Sequence, residues 1–224
     1  MKTRQKRVTR RTLLLGSCGA ASLAMQAGGK SPSTGRRPTF DSQRFVADCL
    51  DAVQRDPGSA QHAIREIMSR AFSNPEAVLA GVDAPVKGGI EPLHRSAGLT
   101  ILNIAWSPLM QLLPHEHNMW ALIGIYTGRE DNIFWQRQGS GLAASGARAI
   151  SAGDVVELPH DVIHSVSNPI EKLTGAIHVY GGDFFAVHRS EWNPETLQER
   201  PWSIREAIRN FEDSNARFFD CRHM

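Results

Sequence analysis

The chain has 224 residues, 41% of them hydrophobic and 21% charged, which suits one medium-sized globular domain with a sizeable core. Its formal charge of +2 comes from residues 1–27, which hold six basic side chains and no acid; the rest carries 19 basic against 23 acidic residues. That balance offers no basic face of the kind nucleic-acid binding requires, and no nucleic-acid partner is expected.

Residues 1–27 read as an export signal. The basic run ends in Thr9-Arg10-Arg11-Thr12-Leu13-Leu14 and passes into a small, apolar stretch, Leu15 to Ala27. This resembles the twin-arginine pattern, by which folded proteins leave the cytoplasm with their cofactors loaded. Ser22-Leu23-Ala24 or Met25-Gln26-Ala27 offers a cleavage site, and Leu15-Gly16-Ser17-Cys18 offers an alternative, lipidated end. The stretch is too short and too broken by Gly and Ser to span a bilayer stably. A periplasmic location is expected, or a cytoplasmic one if the leader does not function.

Residues 28–40 form a linker rich in Gly, Ser, Pro and Arg. Asp41 is placed to cap a helix in which Phe45, Val46, Cys49, Leu50 and Val53 follow helical spacing. Asp56-Pro57-Gly58 ends it, Ser59 opens a second helix carrying Ile64, Ile67 and Met68, and a third follows Asn74-Pro75. These helices make residues 41–92 a preface whose expected work is to pack on a sheet. From about Leu93, short strands are predicted near 99–106, 109–115, 119–126, 131–137, 147–151, 154–158, 161–167, 173–180 and 184–189. Eight or nine short strands punctuated by glycine turns predict a mainly β fold, an antiparallel double-sheet barrel over 93–190. Pro201-Trp202-Ser203 then opens a helix within a C-terminal extension, 191–224. Cys49 and Cys221 could pair in an oxidising compartment, but buried or free thiols are the favoured expectation.

The chemistry centres on His115-Glu116-His117. Residues two apart on a strand face the same way, so this pair can offer two imidazoles to one metal ion. His164, in Pro159-His-Asp-Val-Ile-His164-Ser-Val-Ser-Asn168, supplies a third. Together these segments resemble the two motifs of the cupin superfamily over about residues 93–190, which implies a double-stranded β-helix, or jelly-roll barrel. Two departures stand out: Asp161 replaces a glycine, and the glutamate ligand expected just after His117 is missing, the nearby positions being Asn118 to Leu122.

Three neutral imidazoles leave a divalent charge uncompensated and favour an anionic ligand such as a thiolate; imidazole itself suits iron, zinc, copper and nickel. Such a site resembles the thiol dioxygenases of the cysteine and 3-mercaptopropionate type, which implies Fe(II), O2 and a small thiol converted to its sulfinate. Those enzymes carry Ser-x-His-x-Tyr on a later strand; here Ala176-Ile177-His178-Val179-Tyr180 stands in that place. The resemblance implies that Tyr180 presents its hydroxyl near the reactants and that His178 orients it, while Ala176 removes an outer hydrogen bond. Leu122 occupies the place of a crosslinking cysteine, so no Cys–Tyr crosslink is expected. Arg189, nine residues after Tyr180, matches the carboxylate-binding arginine of the 3-mercaptopropionate enzymes, with Arg95 a second candidate.

Four further residues are assigned to the surroundings. Trp120 is expected in a pocket wall or the core, Glu116 outside the ligand face, and Glu130-Asp131 in an exposed turn. The alternatives to a thiol dioxygenase are another metal-dependent cupin enzyme, an isomerase or a carbon-oxidising dioxygenase, and a non-catalytic cupin that binds a metal or small ligand. A monomer or small homo-oligomer is expected, without a stable membrane span.

Overall fold

In the computed structural model, which describes residues 39–219, the chain opens with three helices. The leader, most of the linker, Cys18 and Cys221 lie outside the described residues. Helix α1 (Ser42–Arg55) starts where expected, with Asp41 Oδ1 accepting from the Arg44 N–H at 3.0 Å. Helix α2 (Ala60–Phe72) follows Ser59, and α3 (Pro75–Gly81) is capped by the Asn74 side chain with Pro75 at its first position, where the missing N–H costs nothing.

Eleven strands follow among the described residues: β1 (Gly89–Arg95), β2 (Thr100–Trp106), β3 (Gln111–Glu116), β4 (Ala121–Thr127), β5 (Arg129–Gln138), β6 (Gly141–Ser151), β7 (Val155–Leu158), β8 (Ile163–Ser167), β9 (Thr174–Tyr180), β10 (Ser190–Trp192) and β11 (Glu199–Pro201). Helix α4 (Ile204–Phe219) closes the described chain. The strands form two antiparallel sheets, ordered β1-β2-β9-β4-β7 and β11-β10-β3-β8-β5-β6. The fold is mainly β, a two-sheet jelly roll with helices at both ends.

Two segments differ from the sequence expectation. The strand predicted at 184–189 is a loop, because Asp183 turns the chain: its Oδ1 accepts from the Phe185 N–H and its carbonyl from those of Ala186 and Val187. The strands also begin before Leu93 and continue past Arg189, since β1 starts at Gly89 and the short β10 and β11 precede the helix expected to open at Pro201.

The central strands of the first sheet, β2, β9 and β4, are buried on both faces, and their sequence alternates between two partners. Leu122 and Tyr126 of β4 and Ile177 and Val179 of β9 pack with Phe45, Ile64, Met68 and Phe72 of the helices. Ala121, Ile123, Ile125, Ala176 and Tyr180 face the second sheet. A fully buried large aliphatic or aromatic side chain contributes about 1.5–3 kcal/mol, so the helical layer is a substantial part of the fold's stability. Its closest approach is at Gly124, where a Cβ would lie 2.6 Å from Cζ of Phe72. Cys49 sits in this layer, and burial pushes its thiol pKa up to about 12.

Candidate metal centre

Between the sheets, strand register collects the chemistry at one place. His115 on β3 lies directly across from His164 on β8, and His117 stands just beyond the end of β3, before the turn at Asn118 (φ 52°). All three histidines are buried. His115 Nε2 and His117 Nε2 are 3.1 Å apart, and His164 Nε2 is 3.3 Å from His117 Nε2.

Their outer nitrogens show which atoms are free to ligate. His115 Nδ1 faces the Leu113 carbonyl at 2.9 Å, and a carbonyl only accepts, so Nδ1 carries the proton and Nε2 keeps its lone pair. His164 Nδ1 faces Asn132 Oδ1 at 2.7 Å, and the amide is fixed in that orientation because its Nδ2 donates to Glu130 Oε1 at 2.9 Å. Two inward lone pairs this close to a third ring nitrogen repel unless a cation lies among them. Metal–nitrogen bonds of about 2.0–2.1 Å put neighbouring ligand atoms about 3.0–3.4 Å apart, which is the spacing here. The three histidines therefore fit a divalent metal. Among the described residues no carboxylate joins the group.

Burial also keeps these rings neutral, as ligation requires. Desolvation lowers the His115 pKa to about 4 and holds His117 and His164 well below the usual histidine value; neighbouring histidines add to the shift for all three, and Arg189 for His115 and His117.

Facing the histidines across the cavity is β9, the middle strand of the first sheet. The Tyr180 hydroxyl is 3.0 Å from His178 Nδ1, and both side chains are buried. Desolvation raises the Tyr180 pKa, so the phenol stays neutral. Period-2 spacing does place Ala176, His178 and Tyr180 on one inward face, with Ala176 fully buried and without a hydroxyl to offer.

Arg189 is buried in the loop before β10. Its guanidinium carbon lies 4.1 Å from the centroid of the Phe184 ring and 3.5 Å from that of Trp202, so it is held between two aromatic faces. Nη1 donates to the Phe184 carbonyl, while Nε and Nη2 have no hydrogen-bond partner. Desolvation lowers its pKa to about 10, which leaves it charged at neutral pH. Arg95 is elsewhere: it is half exposed and forks onto Asp183 at 2.9 and 3.0 Å.

The cavity beside the histidines measures about 30 Å³ and is walled by Trp106, Val166, Phe184, Trp202 and Phe211, with His178 and Tyr180 as its polar groups besides the histidines. A wider cleft of about 740 Å³ lies on the other side of Arg189, lined by Glu116, His188, Ser190 and Trp202 among others. Phe184 and Trp202, which sandwich Arg189, also wall the inner cavity, while Arg189 itself lines the cleft.

One expectation is corrected here. Glu130 is fully buried rather than part of an exposed turn. Its Oε2 accepts from Trp106 Nε1 at 2.8 Å and lies 3.7 Å from His178 Nε2. The signal for it was the alternation Glu130-x-Asn132 on β5, which puts both polar side chains inward. Glu116 points away from the ligands as expected, yet it is covered: its Oε2 accepts from Arg137 at 3.1 Å and its Oε1 from the Ser190 N–H at 3.1 Å. Trp120 packs on the helix-facing side, against Gly181.

No protein-family model matches the chain. Solved structures similar to parts of it include an RmlC-like cupin with a double-stranded β-helix fold from Methanocaldococcus jannaschii, 15% identical over 45% of this chain and 85% of that one, with a TM-score of 0.38. A cupin 2 conserved barrel domain protein from Salinispora arenicola is 21% identical over 44% of this chain and 81% of its own, with a TM-score of 0.34. A variant oxalate decarboxylase from Bacillus subtilis is 17% identical over 46% of this chain, at a TM-score of 0.37, and this chain spans only 27% of its length. At these identities and scores the likeness is one of general architecture.

Proposed function

We propose that the protein is a mononuclear non-haem iron dioxygenase that oxidises a small, carboxylate-bearing thiol, such as 3-mercaptopropionate or cysteine, to its sulfinate. The observation that carries this reading is the convergence of three neutral Nε2 atoms, with no carboxylate in the group, in a cavity walled by the same two aromatic rings that hold a buried arginine with two unpartnered N–H groups. A divalent ion held by neutral ligands favours an anionic substrate atom, and a guanidinium fork suits a carboxylate. One molecule satisfying both has a thiolate at one end and a carboxylate at the other.

His115, His117 and His164 would hold the iron, which when bound would supply open coordination positions for the thiolate and O2. Arg189, already fixed between Phe184 and Trp202, grips the carboxylate and sets the direction from which sulfur approaches. Fixing one end of a short substrate confines the other to the reacting distance, the largest service a rigid site renders. The apolar walls exclude water from the reaction, and Tyr180 and His178 are the polar side chains that the opposite sheet brings to the cavity. Export through a twin-arginine leader belongs to the same proposal and rests on residues 1–27 alone; loading iron before translocation suits a site enclosed this deeply.

Metal analysis of the purified full chain, combined with O2 uptake in the presence of 3-mercaptopropionate, cysteine and cysteamine, tests the reading. Iron with thiol-dependent uptake and a sulfinate product supports it. A different native metal with no uptake on any of the three thiols overturns it, in favour of another cupin chemistry or simple ligand binding.

A further inference from the structure

Glu130 has no part in the mechanism above, yet it is a fully buried carboxylate at the junction of the two polar groups flanking the metal centre. Burying a carboxylate is costly unless it is used, and each of its oxygens is committed. Oε1 accepts from Asn132 Nδ2, and Asn132 Oδ1 in turn accepts from His164 Nδ1. Oε2 accepts from Trp106 Nε1 and faces His178 Nε2 across 3.7 Å. That nitrogen is buried and has no hydrogen-bond partner, Oε2 being the carboxylate oxygen that faces it, and Ala176, on the same strand face, offers none.

We propose that Glu130 is a positioning residue that sets the proton arrangement of both branches. As an acceptor at Oε1 it orients the Asn132 amide, which keeps the proton of His164 on Nδ1 and its Nε2 lone pair toward the metal. Through the charge at Oε2, 3.7 Å away, it favours the proton of His178 on Nε2, so that the bare Nδ1 accepts the Tyr180 O–H. Tyr180 then turns its oxygen lone pairs, not its proton, toward the cavity. The site would accordingly receive a hydrogen bond from a bound substrate through Tyr180 rather than donate one. The carboxylate absent from the ligand group is thus supplied one residue further out, where it acts on ring orientation instead of on the metal directly.

The proposal rests on the metal centre of the preceding reading but not on its thiol substrate, and its test uses neither thiol nor O2. In the zinc-loaded full chain, long-range ¹H–¹⁵N spectra of the histidine rings should show His178 protonated at Nε2 and bare at Nδ1, and His164 protonated at Nδ1. The Glu130→Gln variant keeps the shape but brings an NH2 to one branch. It should reverse the ring state of His178 or of His164 and weaken Fe(II) binding, read by chelator competition, by about ten- to a hundred-fold. A proton on Nδ1 of His178 in the unaltered protein overturns the proposal, and this needs no variant to fold. So does a folded Glu130→Gln protein with both ring states and Fe(II) affinity unchanged. Failure of the thiol assay alone leaves these readouts intact and counts only against the substrate.

Discussion

The Nε2 atoms of His117 and His164 stand 3.3 Å apart inside a wall of apolar side chains, with both rings held neutral by burial. This pairing makes the metal-free protein sensitive to acid. In the unfolded chain these histidines titrate near their ordinary value of about 6.5, while in the fold they protonate only at lower pH, about 4 for His115. The unfolded state therefore binds more protons below about pH 6.5, and stability is lost progressively from there downward. Each such histidine contributes a slope of up to about 1.4 kcal/mol per pH unit. Urea midpoints of chelator-treated protein should be level above pH 7 and fall between pH 6.5 and 4.5. Saturating metal should raise the whole curve at neutral pH. A midpoint independent of pH across that window would show that the rings are not buried as described.

Arg189→Met should separate substrate recognition from folding. Losing a buried charged partner costs about 2–5 kcal/mol in binding, so KM for a carboxylate-bearing thiol should rise about thirty-fold or more, while cysteamine, which has no carboxylate, is unaffected. Stability should change little, because the variant also removes two buried N–H groups that lack partners. Arg189→Lys should not restore KM, since an ammonium neither forks nor stacks between two rings. Equal losses on both kinds of thiol would place Arg189 in a purely structural role.

Gly124→Ala tests the contact between helices and sheet. The added methyl would meet the Phe72 ring at 2.6 Å, and over-packing of this kind costs about 1–3 kcal/mol. Thermal unfolding of the metal-free variant should move down by several degrees, at about 2–4 °C per kcal/mol for a chain of this size. An unchanged Tm would mean that α2 is free to shift off β4.

Ala176→Ser places a hydroxyl on the inward face of β9, two residues from the unpartnered His178 Nε2. Glu130→Gln should lower turnover by upsetting the His178–Tyr180 pair, and in that background Ala176→Ser should recover about two- to ten-fold, the value of one ordinary hydrogen bond. Steady-state kinetics of the double variant decide the matter: no recovery would mean that the hydroxyl does not reach the ring.

The sequence revealed the histidines because their chemistry and their spacing agree. His115 and His117 sit two apart at the inward end of a strand, and His164 follows in a second recognisable segment. The helix starts at Asp41 and Asn74 were equally legible, since caps are local. Glu130 was not, because β5 reverses the usual alternation: Glu130 and Asn132 point inward while Ile133 is 42% exposed. A hydrophobic pattern read in the ordinary sense places an acidic pair after a glycine on the surface. The loop at 184–189 misled for a related reason. Its Phe184, Phe185 and Val187 look like strand residues, but Phe184 is needed as one face of the arginine sandwich.

That sandwich also fixes an order of events in the making of the protein. The three histidines have all been synthesised by residue 164, whereas Trp202 and Phe211, which complete the cavity wall, come some forty residues later. A nascent chain thus passes through a stage in which its metal ligands exist and their cover does not. Once α4 has docked, metal exchange with the surroundings should be slow, which chelator-release kinetics of the folded protein can check.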